Sequence, residues 1–411
     1  MFRREAGRLV AVLARLFGMH NLALAEDVVQ DAFCRALETW KFHGVPDNPS
    51  AWLMTTAKRR ALDVLRREGT ARKFAPELQW MLESEWTLVP SVEEQFDGGA
   101  VHDAQLRIMF SCAHPDFPDE TRVALVLNLT CGFSAEETSA AFLKQRAATQ
   151  KRLSRAKQRL SESQPLFDMR DAAGVAERLP AVLRAVYLVF SEGYHASTAD
   201  SAIRAGLCAE ALHLAAILLQ APATATPATH ALAALMHFDV ARLPARLDAN
   251  GDFVVLEHQD RSRWDEGHVA EGRRQLDLSA RGEDLTAYHV QAAIAALHAE
   301  AATAAVIDWE AIVALYDTLL AIDPSPVVAL NRAIAIARRD GPARGLEEIG
   351  RIDNRQRLDR YPFLHVALGE FELALRHALP ARMHFEGALA LARNPAERRF
   401  IQARIRSCDP Q

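Results

Sequence analysis

No stretch of the sequence reaches about 18 uninterrupted apolar residues, so nothing in it reads as a membrane-spanning helix. The N-terminus, MFRREAGRLVAVLARLFG, carries an acid and lacks a small-residue cleavage site, so it does not read as a secretory leader. A cytoplasmic location and no membrane partner are the expectation. The five cysteines, Cys34, Cys112, Cys131, Cys208 and Cys408, are scattered and never spaced as CxxC, which argues for reduced thiols rather than a disulfide framework. Cys112 and His114 lie close together, but a tetrahedral metal site needs two further converging ligands, so no metal and no cofactor is expected. A glycine-rich phosphate loop, an HExxH helix and a Ser/His/Asp order are all missing, which leaves no catalytic constellation to assign. Strand signals are nearly absent too, apart from the short FVVLE at 253–257.

What remains is an alanine-rich helical build. Hydrophobic residues make up 50% of the 411 positions and charged ones 25%, enough core for more than one domain of an all-α protein. The net charge of −5 makes any basic cluster a local feature rather than a drift of composition.

The densest such cluster is 134–160. Ser134 followed by Glu137 forms a capping box that starts an apolar-periodic run ending at Phe142 and Leu143. Lys144, Gln145 and Arg146 interrupt the period. Leu153, Ala156 and Leu160 then recur at helical spacing, with Lys151, Arg155 and Gln158 facing away. From Lys144 to Leu160 there are seven Lys or Arg and no acid, so the outline is a helix-turn-helix with a phosphate-seeking second helix.

Upstream, residues 1–20 read as an apolar helix and 21–40 as a second. In the second, Val29, Phe33, Leu37 and Trp40 form the expected buried stripe, and Glu26, Asp27, Gln30, Asp31 and Glu38 an acidic outer side. That side is either a solvated face or a docking surface for a partner. Prolines and Asx residues break the chain at 44–50, where Ser50 is the expected cap of the next helix. There Leu53, Ala57, Ala61 and Leu65 make a core stripe, with Lys58, Arg59, Arg60, Arg66 and Arg67 around the rest. Trp52 and Thr55 stand at its start, placed either to pack in the core or to meet unstacked bases. From Phe74 to Leu106 there are seven acids and no Lys or Arg, which reads as an acidic linker broken by Pro76, Pro90 and Gly98-Gly99.

Together these residues carry a resemblance. LAEDVVQDAFCRALETW, NPSAWLMTTAKRRALDVLRR and the 134–160 stretch with RLSRA at 152–156 stand in the order and spacing of an extracytoplasmic-function sigma factor of bacterial RNA polymerase, in the sigma-70 family. The resemblance implies a sigma region 2 helical domain at 1–74, a linker at 75–104 and a sigma region 4 helix-turn-helix at 105–165. It implies that Asp27, Gln30, Asp31 and Phe33 bind core RNA polymerase. It assigns promoter DNA at the −10 element to Trp52, Thr55, Lys58, Arg59, Arg60, Arg66 and Arg67. For the −35 element the candidates are Gln145, Arg146, Thr149, Gln150, Lys151, Arg152 and Arg155. Where the family often carries a Pro-Glu pair at the start of the recognition helix, this chain has Gln145-Arg146, so its −35 sequence is not inherited from relatives.

Residues 166–411 exceed what an ordinary member needs. Leu368, Gly369, Ala381, Phe385 and Ala388 fall at tetratricopeptide spacing, with weaker matches at Leu330, Asn331 and Ala343 and at Trp309 and Tyr316. With SEGYHAS at 191–197 and LEHQDRSRWDEG at 256–267, they resemble the sigma-factor subgroup with a C-terminal tetratricopeptide-like extension, expected to regulate the sigma half by contact and to offer a surface to a protein partner. Asp260, Arg261, Arg263 and Asp265 are expected to neutralise one another in an inter-repeat connection. Two functions follow: a promoter-specificity subunit with no chemistry of its own, or a DNA-binding scaffold whose repeats recruit a protein.

Overall fold

The computed structural model describes residues 2–67, 98–141, 145–163, 167–195, 203–392 and 394–409. They form helices joined by turns and short 3-10 segments, as the composition requires. The FVVLE stretch forms no strand. Its one β-type pairing is a bridge between Phe253 and Leu247, after which Leu256–His258 winds into a 3-10 turn. A lone β-branched run cannot persist as a strand without a neighbour to satisfy its ladder. By compactness the chain divides into Met1–Val189 and Phe190–Gln411, so the first unit reaches beyond the boundary expected at Pro165.

The first unit is built around α1 (Phe2–Phe17), in which Leu9, Val10, Ala11, Val12, Leu13 and Ala14 are consecutively buried. A helix buried on every side is an internal one. It packs on α2 (Leu22–His43) and on α4 (Gly98–Cys112), while α2 pairs with α3 (Pro49–Arg67). At Gly7 the approach is so close that a Cβ would lie 2.0 Å from the Thr130 carbonyl oxygen. Gly98-Gly99, expected to break the linker, instead opens α4, with Ala104 and Gln105 already in the core. The rest of the acidic linker lies outside the described residues.

Two local expectations are corrected. The buried stripe of α2 runs through Leu22, Ala25, Val28, Val29, Ala32 and Ala36, and Leu37 is 63% exposed. Small alanines let α2 approach its neighbours closely, and that turns the larger Leu37 outward. The cap of α3 is Asn48, whose Oδ1 accepts from the Ala51 amide at 3.0 Å, rather than Ser50. Leu53, Ala57 and Ala61 form the inner stripe of α3 as expected.

Next comes α5 (Asp119–Leu129), closed by Gly132 at φ +64°, a conformation that favours glycine, with Phe133 N donating to Leu127 O at 3.0 Å. Then follow α6 (Ala135–Ala141) and α7 (Arg146–Ser163). The start of α8 (Ala172–Tyr194) also belongs to this unit: Arg178 donates to Phe110 O at 3.0 Å and stacks 4.3 Å over the Phe167 ring.

The second unit is a succession of helices: α9 (Ala205–Gln220), α10 (Pro227–Ala241), α11 (Glu266–Ser279), α12 (Ala287–Glu300), α13 (Trp309–Ile322), α14 (Pro326–Asp340), α15 (Pro342–Gly350), α16 (Pro362–Ala374), α17 (Ala378–Leu391) and α18 (Pro395–Arg406). Most pack on their sequence neighbours, but α12 packs chiefly on α10. Gly369 on α16 lies against the Phe385 ring on α17, where a Cβ would come within 2.6 Å of Cε1. Gly345 on α15 is likewise pressed between Ala337 and Phe371. Small residues permit these close helix contacts.

Candidate nucleic-acid interface

The helix pair α6 and α7 begins as its sequence dictates. Ser134 N donates to Glu137 Oε2 at 3.0 Å and Glu137 N donates to Ser134 Oγ at 3.1 Å, so two orphan amides of the helix start satisfy each other's residues. The end of the first apolar run, Phe142, Leu143 and Lys144, lies outside the described residues. On α7 Leu153, Ala156 and Leu160 are buried, and Gln145, Arg146, Gln150, Lys151, Arg152 and Arg155 are exposed. Thr149 departs from the expected reading face. It is buried, its Oγ1 donating to Gln145 O at 3.3 Å, because position 149 shares the inner stripe with Leu153 and Ala156.

The cations of this face are held at their ends. Arg146 pairs with Glu136 on α6 at 3.0 Å and Arg152 with Glu120 on α5 at 2.7 Å. All four side chains are largely solvated, and such pairs are worth about 0–1 kcal/mol each. A phosphate can displace these carboxylates at little cost. Sequence reading missed both glutamates, since only the fold brings position 120 to position 152.

On α2, Asp27, Gln30 and Asp31 are exposed and Phe33 is half-buried. Asp31 accepts from Arg60 Nε at 2.8 Å, joining the acidic face of α2 to the basic face of α3. Lys58 and Arg59 immediately precede Arg60 on the same helix. Arg66 and Arg67 lie in its last turn, their side chains outside the described residues. Trp52 is half-buried, edge-on to Trp40 with ring centroids 5.5 Å apart, so core packing accounts for much of its surface. Thr55 is exposed, its hydroxyl bonded back to Ala51 O at 2.8 Å.

One link joins the two surfaces. Lys157 on α7 donates to Glu26 Oε1 on α2 at 2.5 Å, both side chains roughly three-quarters covered. No local signal announces it, because 131 residues separate the partners. Beneath it Cys112 is fully buried, which raises its thiol well above the usual range, and burial lowers His114. Among the described residues no three His, Cys, Asp or Glu side chains converge on a metal-sized site, and no helix is long and apolar enough to cross a membrane.

In the second unit the two singled-out motifs meet different neighbours from those expected. Asp260 and Asp265 act as caps, accepting from Ser262 N at 3.0 Å and His268 N at 2.9 Å. Arg261 reaches the His298 and Ala301 carbonyls at 2.6 and 2.8 Å and stacks 4.6 Å over Trp264. The expected mutual neutralisation is replaced by capping and by a tether to the end of α12. Tyr194 of the SEGYHAS motif lies under Arg246, whose guanidinium sits 3.8 Å from the ring centroid.

Comparison with known proteins adds four matches. Residues 1–70 match Sigma-70 region 2, and residues 178–280 match a family of unknown function (DUF6596). The chain is 37% identical to "Uncharacterized protein R00370" of Rhizobium meliloti (strain 1021) over 400 residues, covering 97% of this chain and 93% of that protein. It is also 28% identical over 162 residues to "ECF RNA polymerase sigma factor SigE" of Mycolicibacterium smegmatis, covering 39% of this chain and 59% of that one. No solved structure matches it significantly.

Proposed function

From the premise that this chain belongs to one family with its full-length Rhizobium relative and is a sigma-70 family member by its first 70 residues, we propose that it is a sigma factor of the extracytoplasmic-function type. In this role it directs core RNA polymerase to promoters. Asp27, Gln30, Asp31 and Phe33 dock the polymerase, and α3 contacts the −10 element through Trp52, Thr55, Lys58, Arg59, Arg60, Arg66 and Arg67. The exposed face of α7 reads the −35 element, with Arg146, Lys151, Arg152 and Arg155 on phosphates and Gln145 and Gln150 nearest the base edges. Thr149 is not part of that reading face. The second unit, a tetratricopeptide-like array in this reading, regulates the sigma half by contact and offers a surface to a protein partner.

The observation that carries the reading is the pairing of an exposed acidic face on α2 with basic faces on α3 and α7 inside one unit. A scaffold that merely holds DNA explains the second unit but leaves the Asp27 and Asp31 face without a use. Run-off transcription with purified core polymerase tests it: a defined start site is expected, and Asp27→Ala with Asp31→Ala should weaken core binding ~10-fold, or about 1.4 kcal/mol. A chain that directs no start site and binds core equally well with both substitutions is not a sigma factor.

A further inference from the structure

We propose that Tyr194, Arg242, Arg261 and Trp264 form a binding site for a small oxyanion, a phosphate or a carboxylate, inside the second unit. This goes beyond the sigma-factor reading and does not depend on it. The SEGYHAS and HQDRSRWD segments supply three of these residues, and the turn after α10 supplies Arg242. Charge points to the ligand. Arg242 is the common neighbour, within electrostatic reach of Arg246 and Arg261. Its guanidinium lies 5.8 Å from the Trp264 ring centroid, which Arg261 approaches to 4.6 Å. Against these three guanidiniums stands the carboxylate of Asp239, which meets Arg242 Nη1 at 3.4 Å. Burial and the Arg242 charge both lower Arg261, and burial followed by the same two arginines lowers His298, as a positive field without its counter-charge would do. Arg246 and Arg261 also bond to the carbonyls of Tyr194, His298 and Ala301. Those dipoles answer hydrogen bonds but cancel no net charge.

Hydrogen bonding points the same way. Arg242 Nε, Arg261 Nη2, Trp264 Nε1 and the Tyr194 hydroxyl are buried atoms with no hydrogen-bond partner among the described residues. A buried donor left unanswered destabilises a fold, so four of them in one cluster call for an explanation. Burial raises Tyr194, which keeps its hydroxyl protonated and able to donate. What answers four donors is an acceptor rich in lone pairs, and the planar guanidinium fork matches the oxygens of phosphate and carboxylate. The donors are also held in place beforehand. Arg246 lies 3.8 Å over the Tyr194 ring, and Asp265 N donates to Ala241 O at 2.9 Å, which fixes the Trp264 segment to the end of α10. Little ordering therefore remains to oppose binding. Arg242 keeps 17% of its side-chain surface exposed, whereas Tyr194 and Trp264 are buried, so solutes reach the cluster at Arg242.

Isothermal titration calorimetry on the full chain tests this, with inorganic phosphate and malonate as probes and chloride holding the ionic strength constant. At least one probe should bind one site per chain with a Kd on the order of 1 mM or tighter. Binding of phosphate alone identifies a phosphate ligand, and binding of malonate alone a carboxylate. Arg242→Gln should weaken binding ~10-fold or more. Tyr194→Phe removes only a hydroxyl that no described residue answers. It should weaken binding several-fold while the unfolding temperature of the ligand-free chain stays unchanged or rises, and this arm decides if Arg242→Gln fails to fold. Arg274→Gln, which alters an exposed cation of α11 paired with Glu271, should bind as the parent chain does. If neither probe binds saturably, or if Tyr194→Phe leaves binding intact or lowers the unfolding temperature of the ligand-free chain, the proposal is overturned and the cluster is a structural core.

Discussion

Gly369 shows how one side chain fixes a helix pair. Its missing Cβ admits the Phe385 ring, and Phe385, Ala381 and Ala388 are all fully buried on the facing helix. Gly369→Val should cost about 1–3 kcal/mol by overpacking, seen as a lower unfolding temperature of the full chain. Gly350 meets no atom within 4 Å, so Gly350→Ala is the control and should leave the unfolding temperature unchanged or slightly raised. This pair was legible beforehand because small and large residues at fixed helical spacing state their own packing. Leu37 was not. Periodicity marks two adjacent stripes on α2, and only the partner helices decide that the alanine stripe goes inward. Half-buried histidines set a second expectation at this scale. His298 is held down to about 4 by burial and by Arg242 and Arg261, and His237 to about 4 by burial and His268. Their folded values lie below the ordinary histidine value of 6.5, so the unfolded chain binds these protons first. Stability of the second unit should be intact above pH 6.5 and fall as pH drops towards 4, which thermal unfolding across that range will read.

At the scale of the element, helix starts were the most readable feature, because a cap is decided within three or four residues. The Ser134 and Glu137 box formed as spelled, and Asp308 and Asn394 cap α13 and α18 by the same rule, through the amides of Ala311 and Glu397. Ser134→Ala should cost about 1 kcal/mol at the start of α6, measured as hydrogen-exchange protection lost there first. The same local chemistry explains the misread HQDRSRWD segment. Its four charges suggest ion pairs, but an Asp immediately before a helical turn gains more from amides whose only alternative is water. Arg261, long enough to leave the segment, takes the carbonyls at the end of α12 instead. The role of Glu120 and Glu136 in holding the cations of the α7 face was illegible for the opposite reason. Both depend on how α5 and α6 are laid against α7, which no sequence window contains.

For the whole molecule, the instructive element is α8, which begins in one compact unit and ends in the other. A proline at 165 is a local breaking signal, so sequence reading ended the first module there. A boundary, however, is set by which core a segment fills. Phe167 stacks on Phe110 with ring centroids 5.7 Å apart, its amide donates to Ser111 Oγ at 2.9 Å, and Arg178 covers its other side while donating to Phe110 O. These contacts make the first part of α8 a lid on the α4 core. A fragment ending at Pro165 removes the lid and leaves Phe110 without its aromatic partner, while Ser111 Oγ loses the Phe167 amide and keeps only its bond to Arg107 O. Relative to a fragment ending at Val189, it should lose roughly 3 kcal/mol or more, the cost of deleting a buried aromatic. At 150–250 residues that is a fall of about 6–12 °C in unfolding temperature, measurable by calorimetry of the two fragments side by side. Equal unfolding temperatures would mean that α8 adds nothing to the first unit, and that the division expected at Pro165 is the energetic one after all.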